Sequence, residues 1–231
     1  MKKKENIIMA FLMAVTFIFI TVSGIIHKQQ FLKILPLYIS LAVSLLQSRI
    51  NRYAPLVGGI NAVIYAFAYF SFRLYASAAY ALFLSCPLQL ITFILWNRHP
   101  WKNSTMLKKL SARQRIMIIA AAAAAWLIIQ HMLSGADSTC RELDTAVTIL
   151  GFLETILTLL SYYEYTAAKL GGGLCSMLLF VSMLKDYPEQ TTYLGYSVYL
   201  LICSTIAVIR VRKIYAEQQN IMKQQKERKL I

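Results

Sequence analysis

Polar side chains that can recognise a ligand occur inside stretches of the sequence that are otherwise apolar. Glu154 lies near the middle of one such run, and Asn61 and Gln89 lie in two others. An ionisable side chain at the centre of a bilayer costs about 2.5–3.5 kcal/mol even on insertion scales, so it indicates a binding site or a pathway. A protonated glutamate that bonds a neighbouring helix is the structural alternative for Glu154. Amide side chains also form hydrogen bonds between membrane helices, and each such bond contributes about 0.6 kcal/mol on average. Structural and binding roles therefore both stay open for Asn61 and Gln89.

Tyrosines and a proline add to these candidates. Tyr193, Tyr196 and Tyr199 recur every three residues, which places them on one face of a helix. We expect the outermost, Tyr193, to anchor the helix at the membrane interface, and Tyr196 and Tyr199 to line a pore. Pro87 removes a helix hydrogen bond and clashes with the preceding turn, so it is the predicted hinge. Trp96 is expected in the aromatic belt at the inner membrane boundary.

Catalysis and metal binding are not indicated. His27, His99 and His131 have no partners at ligand spacing, and the four cysteines show no paired spacing, so no metal, cofactor or disulfide is expected. The sequence contains no local nucleophile–base pair or phosphate-binding loop, which argues against an enzyme. The formal charge of +14 sits in loops and tails without a basic, aromatic-interleaved face, so nucleic acid is not an expected partner.

The composition is that of an integral membrane protein. Of 231 residues, 58% are hydrophobic and 15% are charged, whereas soluble domains average about 45–50% apolar and about 25% charged residues. Apolar runs long enough to cross a bilayer predict an all-α protein with eight transmembrane helices. They cover about 7–26, 31–46, 54–72, 74–96, 116–134, 145–163, 168–184 and 193–209. We expect the first to be retained; the alternative is a signal peptide cleaved near Val22-Ser23-Gly24.

The distribution of basic residues predicts the orientation. With the N-terminus inside, the outer segments hold only five of the 24 Lys and Arg residues: Lys28, Lys33, Arg73, Arg141 and Lys185. Because basic loops stay on the cytoplasmic side, we expect a multi-pass protein of the inner (plasma) membrane with both termini cytoplasmic.

The order of the spans predicts two parallel three-helix bundles. An extra N-terminal helix (1–30) precedes the first bundle (31–101), a basic loop and a linker helix (102–144) lead to the second bundle (145–210), and a cytoplasmic tail (211–231) follows. Parallel repeats of this kind place a substrate site near the midplane between them. The six consecutive alanines at 120–125 permit close packing, so we expect the linker helix to lie between the bundles.

Several motifs together resemble the PnuC family of vitamin transporters. They are Gly59, Tyr65, Leu74-Tyr75, Pro87 and Trp96 at family-like spacing, the basic stretch KKLSARQR at 108–115, Leu143-Asp144 at the start of a span and Glu164 at its end. The match covers Phe31 to Lys213. The resemblance implies a SWEET-like fold and uptake of nicotinamide riboside by facilitated diffusion. It also implies a cytosolic kinase that traps the cargo by phosphorylation.

The resemblance and the polar residues together define the expected site and partners. The candidate substrate-binding residues are Asn61, Tyr65, Gln89, Glu154, Glu164, Tyr196 and Tyr199. After the glutamate, the family usually carries two tryptophans and an asparagine, where this chain has Thr166, Lys169 and Gly173. Thiamine, riboflavin or a sugar stay open as cargo, and so does a non-transporting subunit that needs a partner. The expected partners are a small vitamin-like molecule, the lipid bilayer, the kinase and other copies of the chain in a homo-oligomer.

Overall fold

A computed structural model describes residues 2–98, 100–101, 104–135 and 139–228 of the chain. Its helices are α1 (Lys2–Ile26), α2 (Phe31–Ser48), α3 (Ala54–Ser71), α4 (Tyr75–Ala79), α5 (Cys86–Arg98), α6 (Ala112–Met132), α7 (Arg141–Leu159), α8 (Tyr165–Met183) and α9 (Thr191–Arg228). A π-helical turn, Tyr80–Ser85, joins α4 and α5 into one continuous helical segment. Two short strands, β1 (Pro100–Trp101) and β2 (Ser104–Thr105), pair antiparallel in the central loop, and a 3-10 turn (Pro188–Gln190) precedes α9.

The all-α membrane architecture predicted from the sequence is confirmed. Within the described residues, seven helical segments are long and apolar enough to cross a membrane. The remaining long helix, α7, coincides with the sixth predicted span but carries Glu142, Asp144 and Glu154. Asp144 is fully buried against α4 and Glu154 lines a cavity, whereas Glu142 is exposed in the first turn of the helix.

Short turns connect the helices, and local chemistry explains where they fall. Ile50 and Arg73 adopt positive φ angles of 54° and 57° in the turns after α2 and α3, so each chain reversal takes only a few residues. Ser111 begins α6 through a capping box: its hydroxyl accepts from the Gln114 backbone N–H, and the Gln114 side chain accepts from the Ser111 N–H. Pro55 lies in the first turn of α3, where backbone N–H groups have no acceptor within the helix, so a proline there costs no hydrogen bond.

The helices form two three-helix units that close directly on each other. In the first unit α3 packs against α2 and against the α4–α5 segment, and in the second unit α8 packs against α7 and α9. Contacts of α2 with α9, and of α4 and α5 with α7, join the units. The N-terminal α1 packs outside them on α9 and α2, where Ser23 hydrogen-bonds Thr192 at 2.8 Å.

The linker helix α6 differs from the expectation. None of its residues is buried, and it packs on α7 at the periphery. The prediction that the six alanines place this helix between the two bundles is therefore wrong. The reason is that the units meet through α2–α9 and α5–α7 contacts, which leave no slot for a seventh helix between them.

Two hydrophobic clusters close the ends of the bundle. At the Arg73 end, which contains the α3–α4 and α8–α9 connections, Phe72, Leu74, Met183 and Tyr193 are fully buried. This burial contradicts the expectation of Tyr193 as an interfacial anchor, since its hydroxyl donates to the Lys33 carbonyl at 2.6 Å inside the protein.

At the Ile50 end, which contains the α2–α3 and α7–α8 connections, the second cluster includes Trp96 and Leu107. Trp96 is buried and donates to the Thr158 carbonyl at 3.0 Å, so the expectation of a belt residue is wrong there as well. The helix α9 continues beyond residue 210 to Arg228. Its fully buried Gln218 accepts from the Leu107 N–H at 2.9 Å and donates to the Thr105 carbonyl at 3.0 Å, which fixes the linker loop to this extension.

Candidate functional site

A cavity of about 240 Å³ lies between the two units. Its described lining residues come from α2, α3 and the α4–α5 segment on one side, and from α7, α8 and α9 on the other. The first side, which we call the neutral wall, presents Ser, Thr, Tyr, Asn and Gln side chains. The second side, which we call the charged wall, presents Glu154 and Lys169 among smaller and aromatic residues.

Asn61 organises the centre of the neutral wall. Its side-chain Nδ2 donates to Ser40 Oγ at 2.8 Å and to the Pro36 carbonyl at 3.0 Å. The Ser40 hydroxyl in turn donates to Tyr65 Oη at 2.9 Å. The Asn61 side chain is almost completely buried, and its Oδ1 atom has no hydrogen-bond partner. Since buried polar atoms are nearly always paired, this acceptor calls for a hydrogen-bond donor that the described residues do not supply.

Gln89 and a pair of tyrosines complete the neutral wall. Gln89 Nε2 donates to Ser85 Oγ, at the end of the π-helical turn, at 2.7 Å. A Cβ atom at Gly58 would collide with Gln89 Oε1, so a larger residue at this close approach of α3 and α5 would displace the Gln89 side chain. The rings of Tyr65 and Tyr69 stack with centroids 5.1 Å apart and planes inclined by 20°. This wall therefore offers amide and hydroxyl groups beside an aromatic surface.

An ion pair defines the charged wall. Lys169 Nζ lies 3.4 Å from Glu154 Oε1 and also donates a hydrogen bond to Gln47 Oε1 on the opposite wall. The Lys169 side chain is 5% exposed, whereas that of Glu154 is 24% exposed. A lysine in this place gives the glutamate an internal counter-ion, which explains how a carboxylate is tolerated within the helical bundle.

Hydrogen bonds between the walls set their separation. Tyr80 Oη donates to the Gly151 carbonyl at 2.6 Å, and the hydroxyls of Ser44 and Tyr196 lie 2.9 Å apart. Near the Arg73 end, the fully buried Asp144 accepts from Ser77 Oγ at 2.5 Å.

Asp144 also accepts from the backbone N–H of Ala76 at 3.2 Å. This carboxylate of the second unit thereby caps the first turn of α4 in the first unit. An acidic group is favourable at that position because the N-terminal end of a helix carries partial positive charge.

Five of the residues predicted from the sequence come together in this cavity. They are Asn61, Tyr65, Gln89, Glu154 and Tyr196. Sequence reasoning did not select Lys169, Gln47, Ser40 or Ser44, which lie beside them. Lys169 carries a signal in the sequence, since it lies near the start of the apolar run of α8, but the charge distribution alone counts it among the basic residues of the inner side.

Three other predicted residues lie outside the described lining. Glu164 pairs with Arg115 at 2.8 Å and accepts from the Leu110 N–H at 3.1 Å, at the linker loop. Tyr199 is buried against α2 and donates to the Leu41 carbonyl at 3.3 Å. Pro87 is the second residue of α5, directly after the π-helical turn.

The three positions at which the sequence departs from the PnuC pattern do not all line the cavity. Lys169 and Gly173 line the cavity, whereas Thr166 is buried outside the described lining and donates to the Tyr163 carbonyl at 3.0 Å. Among the described residues there is no group of three or more His, Cys, Asp and Glu side chains arranged to hold a metal ion.

Comparisons with known proteins agree on one family. The family model described as nicotinamide mononucleotide transporter matches residues 30–211. Over 127 residues the chain is 25% identical to the nicotinamide riboside transporter PnuC of Neisseria mucosa, and the alignment covers 52% of this chain and 48% of that protein. The chain is thus matched to about half the length of this curated relative.

A solved structure extends the similarity in fold to nearly the whole chain. The crystal structure of the vitamin B3 transporter PnuC superposes with a TM-score of 0.78 at 18% sequence identity. The superposition covers 93% of this chain and 92% of that one. At this level of identity the match establishes a shared fold.

Proposed function

The chain belongs to the nicotinamide mononucleotide transporter family, and from this premise we propose that it carries nicotinamide riboside across the membrane through the cavity between its two units. The resemblance to the PnuC family found in the sequence is confirmed by this match. The family is one of membrane transporters, so the chain is a multi-pass membrane protein with a small-molecule substrate and is not classed as an enzyme.

The unpartnered Asn61 Oδ1 in a wall of amides and hydroxyls is the observation that carries the choice of cargo. Ligand sites combine apolar and aromatic surface with a few well-placed polar groups. Nicotinamide riboside presents a flat ring, a carboxamide and a ribose, which are complementary to tyrosines, amides and hydroxyls respectively. We assign Asn61 Oδ1 as the acceptor for an N–H or O–H group of this cargo.

The other lining residues contact the remaining parts of the cargo in this proposal. Tyr65 and Tyr196 flank the ring, and Gln89 hydrogen-bonds the cargo on the side of the π-helical turn. Glu154 faces the positive charge that an N-glycosylated pyridinium carries. In this proposal Glu164 and Tyr199 act by holding elements in place.

Pro87 has a different proposed role, as the hinge of one wall. It is the second residue after the π-helical turn, and local π-helical geometry is frequent at functional sites and at helix bends. A change in this turn would move Tyr80 and Gln89 together, because both residues belong to the continuous α4–α5 segment.

Facilitated diffusion is the proposed mode of transport. Among the described lining residues Glu154 is the only acidic one, and it is paired with Lys169. Ion-coupled carriers use buried carboxylates or unwound helix carbonyls. A cytosolic kinase that phosphorylates the cargo would then make uptake directional by trapping it.

The proposed arrangement in the cell follows the basic residues of the sequence. The Ile50 end and both termini face the cytoplasm of the inner (plasma) membrane. The extra helix (1–30), two bundles (31–101 and 145–210), linker region (102–144) and tail (211–231) act as its domains. The homo-oligomer stays a prediction.

Thermal unfolding of the purified protein with each vitamin tests the cargo. Nicotinamide riboside at 100 times its Kd should stabilise the folded state by about 2.7 kcal/mol. Thiamine and riboflavin should leave the unfolding temperature unchanged. Because Lys169 and Gly173 stand where the family usually has aromatic and amide groups, a related vitamin is the second candidate. Stabilisation by thiamine or riboflavin, and not by nicotinamide riboside, would replace the proposed cargo with that vitamin.

A further inference from the structure

The ion pair of the charged wall stands where a cationic cargo would bind. Glu154 and Lys169 are the two charged side chains among the described residues that line the cavity. Their nearest charged atoms are 3.4 Å apart, so the pair leaves the empty cavity without net charge. The carboxylate is the more exposed member, and the ammonium group lies deeper, against Gln47.

Stability alone does not account for this pair. Replacing a buried ion pair by apolar groups is often neutral or stabilising, because desolvation of both charges offsets their attraction. Gln47 and Glu154 occupy opposite walls, and Lys169 contacts both of them. The lysine therefore bridges the two walls beside the glutamate that the cargo would contact.

We propose that Lys169 is an internal counter-ion that competes with a cationic cargo for Glu154, and that this competition sets the charge preference of the site. The inference rests on the proposed transport of nicotinamide riboside. In the empty protein Lys169 neutralises Glu154. When a pyridinium ring enters, it shares the carboxylate with Lys169, which retains its hydrogen bond to Gln47.

This competition has a use in a transporter without an energy source. A carrier must bind its cargo well enough to admit it and weakly enough to release it on the other side. An unopposed buried carboxylate would hold a cation tightly. A lysine beside it lowers the affinity for the cation, while a neutral molecule of the same shape is little affected.

The test compares two forms of one ligand. Nicotinamide riboside is a cation, and its reduced dihydro form is neutral with the same ribose and carboxamide. Their dissociation constants for the purified full-length protein are measured by isothermal titration calorimetry. The informative quantity is the ratio of the two affinities, because a purely structural role of Lys169 would change both affinities alike.

Substitutions at the pair should move this ratio in opposite directions. Lys169→Met should raise the preference for the cation by about tenfold, the factor that corresponds to about 1.4 kcal/mol. Glu154→Gln should lower that preference by a similar factor. Lys169→Arg keeps the charge and should keep the wild-type ratio. Lys213→Met, an equal change of charge at an exposed position on α9, should also keep it.

Two results would overturn the inference. An unchanged ratio in Lys169→Met would show that Lys169 has no part in charge preference. If this variant does not fold, Lys169→Gln provides the same comparison with a side chain that can still bond Gln47, and an unchanged ratio there is equally decisive. Failure of the wild-type protein to bind either form would instead reject the proposed cargo, and the inference with it.

Discussion

The two walls of the cavity differ in the chemical groups that they present. The neutral wall holds its amides and hydroxyls in a chain of hydrogen bonds, from Pro36 and Asn61 through Ser40 to Tyr65, and leaves one buried acceptor open. The charged wall has Glu154 and Lys169 close enough to neutralise each other. In our proposal, one wall selects the shape and hydrogen-bonding groups of a ligand, while the other responds to its charge.

The walls also differ in how they are built. The neutral wall includes the π-helical turn followed by Pro87, which interrupts regular helical geometry beside Gln89. The charged wall carries Gly151, Gly172 and Gly173 along the cavity. We expect the first wall to change its backbone geometry during transport and the second to provide a surface that the first approaches closely.

The largest effect is expected at Asp144, which joins the two units beside the cavity. In Asp144→Leu the Ser77 hydroxyl and the Ala76 N–H lose a charged, buried acceptor. Hydrogen bonds to charged groups contribute about 1.5–3 kcal/mol each, so the free energy of unfolding should fall by about 3 kcal/mol. At about 2–4 °C per kcal/mol for a chain of this size, the Tm should fall by about 6–12 °C.

Glu142→Gln is the matched control for this measurement. Glu142 lies half a turn away on α7, is 65% exposed and makes only a 3.7 Å contact with Arg141. Its Tm should stay near that of the wild type. Equal losses in the two variants would mean that the cap on α4 does not join the units.

The next effect separates the neutral wall from the charged one. Asn61→Leu removes the open acceptor and the bonds to Ser40 and Pro36. The affinity for nicotinamide riboside should fall by about 30-fold, or about 2 kcal/mol. Both the cationic and the neutral form of the ligand should be affected alike, because Asn61 recognises groups that they share. Titration calorimetry with both forms measures this, and Ser71→Ala on the exposed end of α3 is the control. A loss confined to the cation would contradict the division between the walls.

A smaller effect tests how closely the walls approach. A methyl group at Gly151 would lie 3.1 Å from Cε1 of Tyr80, the residue whose hydroxyl bonds the Gly151 carbonyl. Overpacking of this kind costs about 1–3 kcal/mol, and we expect Gly151→Ala to lie near the lower limit. At Gly171 the nearest atoms are 3.8 Å away, so Gly171→Ala should be neutral or slightly stabilising. Thermal unfolding of both variants provides the comparison, and equal stabilities would show that the Tyr80 contact adjusts without cost.

The smallest expected effect concerns the orientation of the protein, that is, whether the Arg73 end of the bundle faces the outside of the cell. Burial, together with nearby Asp186, Glu142 and Asp144, raises the pKa of the Cys140 thiol at the Arg73 end. Since the thiolate is the reactive form, its fraction should keep growing with pH beyond about 8.5, where an ordinary cysteine is half ionised. A membrane-impermeant maleimide should label intact cells at a rate that rises about tenfold per pH unit below the pKa. Cys140→Ser should remove this labelling, and labelling that requires permeabilised cells would place the Arg73 end inside.

The neutral wall was the more predictable half of the site. Asn61 and Gln89 stand out in a sequence because an amide in an apolar run needs a partner that lipid does not provide. The structure brings both into the cavity, together with Tyr65, which the family resemblance had indicated. The long helices were predictable for a related reason, since a membrane imposes a length and an apolar composition on each span.

The pairings of the charged wall could not be deduced from local spacing. Glu154 and Lys169 belong to α7 and α8, and Gln47 belongs to α2, so only tertiary packing brings them together. For the same reason the position of Glu164 could not be predicted: its carboxylate bonds residues of the linker region and does not line the cavity. The alanines of α6 were misplaced because small residues permit close packing without determining which helix they meet.

Uptake into liposomes that contain this chain alone tests the central claim most directly. Radiolabelled nicotinamide riboside should enter until its internal and external concentrations are equal, and an imposed pH or sodium gradient should not raise the final level. Protein-free liposomes and liposomes with the Asn61→Leu variant measure the background and the contribution of the cavity. Uptake no faster than in protein-free liposomes, or accumulation driven by either gradient, would contradict facilitated diffusion of this cargo by the chain.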